Sequence, residues 1–247
     1  MKALLSNDDG YLSPGLKALY DIVSTHCSHI DVVAPDRNCS GVSSALTLRH
    51  PLYTHQHENG FISVEGTPTD CVHIALLGLL DTAFDIVISG INLGANLGDD
   101  VVYSGTVAAA IEGRFLGYPS LAVSMTSPQP VHYETAAYVL NQLIPKLHQN
   151  PLPNHLILNI NIPDIPVAEL KGIRATRLSF RHQAKPVKQV TTKHGQTAYW
   201  IGEPGEMADQ RLGTDFHAIQ NGYASVTPIH TDLTHHRLLT SIDDWLG

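Results

Sequence analysis

Five short stretches of the chain are almost unbroken in apolar character: KALLS (2–6), HIDVVAP (29–35), FDIVISG (84–90), SLAVS (120–124) and HLILNINIP (155–163). Runs of this length without polar alternation predict strands buried on both faces. Segments of helical periodicity lie between most of them. After the first strand, Ser13-Pro14 supplies a cap and a first-turn proline for a helix that repeats apolar residues at Leu16, Leu19, Tyr20 and Val23. GTPTDCVHIALLGLL opens on a Thr/Asp cap, TVAAAIEGRFLG repeats Val107, Ile111 and Phe115, and residues 132–149 form a further helix. The loop after residue 35 holds a hairpin region with short strands in ALTL, PLYTH and FISVEG. Strand–helix alternation of this kind predicts an α/β core over residues 1–164, a mostly parallel, doubly wound sheet with helices on both faces.

From about residue 165 the pattern changes to shorter alternating pieces, GIRATRLSF, TAYWIG and GYASVTPI, and a terminal helix near SIDDWLG. Residues 165–247 are therefore expected to form a β-rich, antiparallel appendage. It is not an independent domain, and its HTDLTHHRLLTSIDDWLG end is expected to make a subunit contact. The polar, basic segment RHQAKPVKQVTTKHG (181–195) reads either as a flap near a site entrance or as a solvated surface hairpin.

Composition narrows the function. A formal net charge of −8 over 247 residues argues against nucleic-acid polymer as the main partner. No apolar run reaches the roughly 18 residues of a membrane span, and the opening MKALLSNDDG is too short in its apolar part for a signal peptide. Three cysteines without C-x-x-C spacing fit free thiols in a reducing cytoplasm. The fifteen histidines are scattered without zinc-ligand spacing.

Candidate chemistry collects where the strands end, the edge at which open parallel sheets bind ligands. The first strand ends at Asn7-Asp8-Asp9-Gly10, the second runs into APDRNCSG (34–41), and the third into SGINLGANLGDD (89–100). Adjacent aspartates repel unless a positive charge lies between them. They can face one ligand only if the chain is already turning, for which Gly10 is suited. A hard divalent cation would relieve the repulsion, since Mg²⁺ and Mn²⁺ take oxygen donors. An Asx-rich turn capping the next helix is the plainer reading of the same four residues. Ser104-Gly105-Thr106 stand where a glycine-rich loop opens into a helix, a natural phosphate seat or a plain N-cap. GINLGANLG lacks the spacing of a dinucleotide fingerprint.

LLSNDDG, VVAPDRNCSG, GTPTDCV, SGINLGANLGDDVVYSGTVAAAIEG and GTDFHAIQNGYASVTPIHTDLT together resemble the SurE (survival protein E) nucleotidases, in order, from Met1 to about Trp245. The resemblance implies a Rossmann-like core and an appendage used in homodimers or homotetramers. It also implies a phosphomonoesterase that acts on nucleoside 5′- and 3′-monophosphates, with some activity on short polyphosphate. One divalent cation per subunit, Mg²⁺ or Mn²⁺, is implied on Asp8, Asp9, Ser40 and Asn92, with Asn96 and Ser104-Gly105-Thr106 on the phosphate. Cys39 stands before the ligand serine where another residue is usual.

The chemistry that follows is metal-assisted hydrolysis, with Asp8, Asp9 and Asn96 as the catalytic set. Asp99, Asp100 and a water are all open as the acid that serves the leaving oxygen. A metal-dependent nucleotide sensor that does not turn over is the alternative.

Overall fold

A computed structural model describes all residues, 1–247. In chain order it comprises β1 (Lys2–Ser6), α1 (Pro14–Val23), β2 (His29–Pro35), β3 (Thr54–Gln56), β4 (Ile62–Val64), α2 (Pro68–Ile74), β5 (Ile86–Leu93), α3 (Gly105–Phe115), β6 (Ser120–Met125) and α4 (Tyr133–Gln149). β7 (Ile157–Ile162), β8 (Ile173–Ala175), β9 (Lys188–Thr191), β10 (Thr197–Trp200), α5 (Asp215–Gln220), β11 (Ala224–Ile229) and α6 (Leu239–Leu246) follow. Nine strands form one sheet in the order β3-β4-β2-β1-β5-β6-β7-β11-β8, while β9 and β10 pair alone as an antiparallel hairpin. The doubly wound expectation is borne out: β4-β2-β1-β5-β6-β7 run parallel.

Alternation along the buried strands divides their apolar side chains between two cores. Ala3, Leu5, Ile86, Ile88, Leu121, Val123, Ile160 and Ile162 pack with α1 and α4 on one face. Leu4, Val33 and Val87 meet α2 and Ala109 on the other, where Ala122, Ile157 and Ile229 meet Val107 and Ala110. Both faces are apolar, so the strands read as continuous runs in the sequence. α4 shares a face with α1, yet β6→β7 steps across the sheet in the direction opposite to β1→β2. The β6-α4-β7 crossover therefore has the opposite hand to β1-α1-β2, a departure from the strong right-handed rule.

Some expectations shift. ALTL forms no strand, the short helix α5 lies where only strands were expected, and the third core strand extends through Asn92 to Leu93 across an irregularity in its pairing with β6. Residues beyond 165 do not stand wholly apart. β11 adds to β7 antiparallel and β8 adds to β11, because their inward residues Ala224, Val226 and Ile173 continue the α1–α4 core. Residues 181–195 contribute one strand of the β9–β10 hairpin, which is mostly exposed.

Candidate active site

β1 lies between β2 and β5, and the chain moves outward from it in both directions, so the strand order reverses beside its carboxyl end. Crevices at such reversals hold the ligands of open α/β sheets. Asn7, Asp8 and Asp9 fill this one. Gly10 turns the chain away with φ +96°, a conformation other residues resist, and a side chain there would press on the Arg37 backbone.

Alternation sends the two aspartates in different directions. Asp8 follows Leu4 and Ser6 onto the α3 face and is buried. Its Oδ1 accepts the Thr106 hydroxyl at 2.5 Å, and its backbone carbonyl accepts the Cys39 amide at 2.7 Å. Gly105 passes so close that a Cβ on it would stand 2.7 Å from the Asp8 Cβ and 2.9 Å from its Oδ2. Asp9, half-buried, accepts the Asn38 side-chain amide at 3.2 Å and the Leu93 backbone amide at 3.1 Å. Asn38 in turn accepts from the Ser40 backbone amide and hydroxyl at 2.8 and 2.7 Å, so one side chain ties Asp9 to Ser40. Asn92 donates its side-chain N–H to the Gly94 carbonyl at 2.8 Å, which leaves the lone pairs of its side-chain oxygen free to face a cation.

The electrostatics are those of an acid pair without a counterion. Burial pushes Asp8 up to about 6 against the pull of the Thr106 hydroxyl, and the Asp9 charge adds to the rise. Burial raises Asp9 as well, opposed by the Leu93 amide. No lysine, arginine or histidine forms an ion pair with either acid. The Asn7 side-chain oxygen beside them is buried without a partner. Two carboxylates with neutral oxygen donors from Ser and Asn suit a hard divalent cation, and the absence of sulfur or imidazole from the set does not suit zinc.

The other predicted residues divide. Ser104 caps α3, accepting the Val107 amide at 3.1 Å. Thr106, expected against phosphate, commits its hydroxyl to Asp8, and its backbone amide lowers the same carboxylate. Asn96 is buried in the loop between β5 and α3. Its side-chain amide donates to Ser124 at 2.8 Å. Asp99 and Asp100 both face Arg181. Asp99 accepts the Arg181 backbone amide at 2.8 Å, and Asp100 holds the Arg181 guanidinium at 2.6 to 3.1 Å. They tie the loop to the appendage, with Arg181 lying 4.9 Å over the Phe216 ring.

Beneath the site the α3 face of the sheet turns polar. Ser6, Ser89, Ser124, Asn161 and Ser225 lie in phase with Leu4, Val87, Ala122, Ile157 and Ile229 and are fully buried. Ser6 is paired with Ser89, Ser124 with Asn161, and Asn161 with Ser225. This row and the bridging Asn38 were not singled out from the sequence. The only signal was polar residues inside otherwise apolar strands, as in LNINI.

The family described as Survival protein SurE matches residues 3–185. The chain belongs to the SurE family. It is 53% identical over 247 residues to "5′-nucleotidase SurE" of Legionella pneumophila (strain Lens), covering 100% of this chain and 98% of that one. To the protein of the same name from Methylococcus capsulatus it is 54% identical over 246 residues, with the same coverage. The crystal structure of the SurE protein from Aquifex aeolicus superposes with a TM-score of 0.87 at 41% identity, covering the whole of both chains. The fold expected from the sequence thus belongs to the family that the motifs resembled.

Proposed function

We propose that this SurE-family chain is a divalent-metal-dependent phosphomonoesterase that releases phosphate from nucleoside 5′-monophosphates, and from 3′-monophosphates and short polyphosphate as secondary substrates. The observation that carries this reading is the adjacent pair of buried Asp8 and half-buried Asp9, neither in an ion pair with a basic side chain, at the reversal point of the sheet, with Asp8 against the N-terminus of α3. Its relatives' names point to the same substrate class.

Asp8, Asp9, Ser40 and Asn92 would hold one cation per subunit, Mg²⁺ or Mn²⁺. When bound it supplies positive charge to the phosphoryl oxygens and a Lewis acid for hydrolysis. The chain's own residues supply the rest. Asn38 fixes Asp9 and Ser40 relative to each other, and Thr106 fixes Asp8. Asn96 and Ser104–Gly105 at the start of α3 form the phosphate side, where the partial positive charge of α3 favours the spreading negative charge of the transition state, while Thr106 serves the site through Asp8. Asp99 and Asp100, already held by Arg181, are left out of proton transfer to the leaving oxygen.

The unit that works is a homodimer or homotetramer. Every residue from Asp232 to Gly247 is exposed, and α6 presents Leu239, Ile242, Trp245 and Leu246 to solvent, which suits a subunit contact made by the 165–247 portion. No helix is long and apolar enough to cross a membrane, and the three free thiols agree with a cytoplasmic location.

The test is phosphate release from a panel of nucleoside 5′- and 3′-monophosphates with Mn²⁺ or Mg²⁺, repeated in excess EDTA, with Asp9→Asn alongside. Release that needs metal and collapses in the variant is the expected result. Metal-dependent nucleotide binding with no release from any substrate would instead identify a sensor.

A further inference from the structure

Asn159 and Asn161 sit in β7, a strand whose every other buried position is apolar, and both are fully buried. They point to the α3 face in phase with Ile157, where valine or isoleucine would fill the same space. Both reach the same peptide. Asn161 Oδ1 accepts the Asn96 backbone amide at 2.8 Å, its Nδ2 donates to the Asn96 carbonyl at 2.9 Å, and Asn159 Nδ2 donates to that carbonyl at 2.9 Å. The side chain of Asn96 is held separately by Ser124, the register partner of Asn161 on β6.

The arrangement is costly for packing alone. Asn159 Oδ1 and the neighbouring Ser225 hydroxyl are buried with no protein partner, and a buried polar atom left unpaired costs roughly 1–3 kcal/mol. An asparagine that satisfied itself within the sheet would not need this. Here the Asn161 donor and acceptor are both spent on one residue of a loop more than sixty positions away. That loop stands between the metal-side residue Asn92 and the cap of α3. A loop held only by its own turns would let Asn96 move by more than the ångström that matters at a reacting phosphoryl group.

We infer that Asn161, assisted by Asn159, is a positioning residue: it clamps the backbone N–H and C=O of Asn96 and thereby fixes the Asn96 side chain against the phosphate. This rests on the phosphomonoesterase reading above and deepens it by naming what makes the phosphate side rigid. Asn161 itself touches no substrate. The geometry assigns it the carbonyl and amide of Asn96, leaving the Asn96 side chain free to serve Ser124 and the ligand.

The experiment combines hydrogen exchange with a double-mutant cycle. Asn161→Leu keeps the size and removes both bonds. Asn161→Asp keeps the acceptor for the Asn96 amide and loses the donor, and Asn159→Leu removes only the shared second donor. In metal-loaded protein, amide exchange of the 93–99 segment is expected to rise by about tenfold or more in Asn161→Leu, and less in Asn159→Leu. With a nucleoside monophosphate, kcat is expected to fall and the inhibition constant for inorganic phosphate to rise, each by about tenfold, while Mn²⁺ affinity read by electron paramagnetic resonance stays within about twofold. Asn96→Ala combined with Asn161→Leu is expected to lose no more than Asn96→Ala alone, because both act through one side chain. Unchanged exchange would overturn the clamp, whether or not Asn161→Leu folds less stably. Faster exchange with unchanged phosphate inhibition, or losses that simply add, would reduce Asn161 to a structural residue and overturn the role. A wild-type protein that releases no phosphate would overturn the activity beneath it and the role with it, and would be told apart because the exchange difference would persist.

Discussion

Thr106 Oγ1 donates to Asp8 Oδ1 across 2.5 Å, joining the first residue pair of α3 to the end of β1. The two residues are 98 positions apart, and both are buried. This bond leaves Asp8 Oδ2 as the oxygen that the proposed cation would take. Thr106→Val, nearly isosteric, is expected to cost about 1–3 kcal/mol of stability and to weaken Mn²⁺ binding by about tenfold, with Thr106→Ser restoring most of both. Calorimetric titration of the stripped protein with Mn²⁺, with thermal unfolding alongside, checks this. Undiminished metal affinity in the valine variant would detach Thr106 from the site.

Gly105 is a matter of space. A methyl group on it would fall within 2.7 Å of a side chain that has no room to retreat, since Asp8 is pinned by Thr106 and by its own backbone bond to Cys39. Gly105→Ala is expected to shift either α3 or Asp8, destabilising the fold by about 1–3 kcal/mol and abolishing most phosphate release. A fully active Gly105→Ala enzyme would mean that the site tolerates a displacement the packing denies it.

Asp8 makes the metal-free protein pH-sensitive with a definite sign. Its carboxyl stands at about 6 in the folded chain, above its usual value of 3.8. The folded state therefore holds the proton more tightly, and stability present below about pH 4 is lost as pH rises toward 6, by roughly 3 kcal/mol in total from this group. In EDTA, Asp8→Asn is expected to flatten that slope and to be the more stable protein at pH 7.5 while releasing no phosphate. Denaturant unfolding at pH 4.5, 5.5 and 7.5 reads the difference. A slope that survives the substitution belongs to other groups.

Asp100 is held by Arg181 in a two-pronged ion pair that is only partly exposed. If its work is to anchor the appendage, Asp100→Asn and Asp99→Asn should each retain phosphate release within about threefold, with stability lowered by about 1 kcal/mol or less. A loss of kcat by several hundredfold at unchanged stability would assign the leaving-group proton to one of them.

The sequence by itself determined the sheet and its two helix layers, because strands covered on both faces are apolar along most of their length, and runs such as KALLS and SLAVS admit few other readings. It also determined which segments carry polar chemistry. The turning Gly10, the Ser104 cap and the acid pair depend on local backbone geometry, which neighbouring residues fix. What only the tertiary structure decided is which polar groups spend themselves on each other. Thr106 looked like a phosphate ligand until the crossing of α3 over β1 gave its hydroxyl to Asp8. Asp99 and Asp100 looked free until the appendage brought Arg181 to them. Asn159 and Asn161 lie inside a strand that reads as apolar, and their bonds to the Asn96 backbone exist only once β7 is beside the β5–α3 loop. A hydrogen bond between residues tens of positions apart leaves no periodic trace in either segment. Its partners are chosen by the packing of strands and helices, and only the assembled sheet edge says where each donor points.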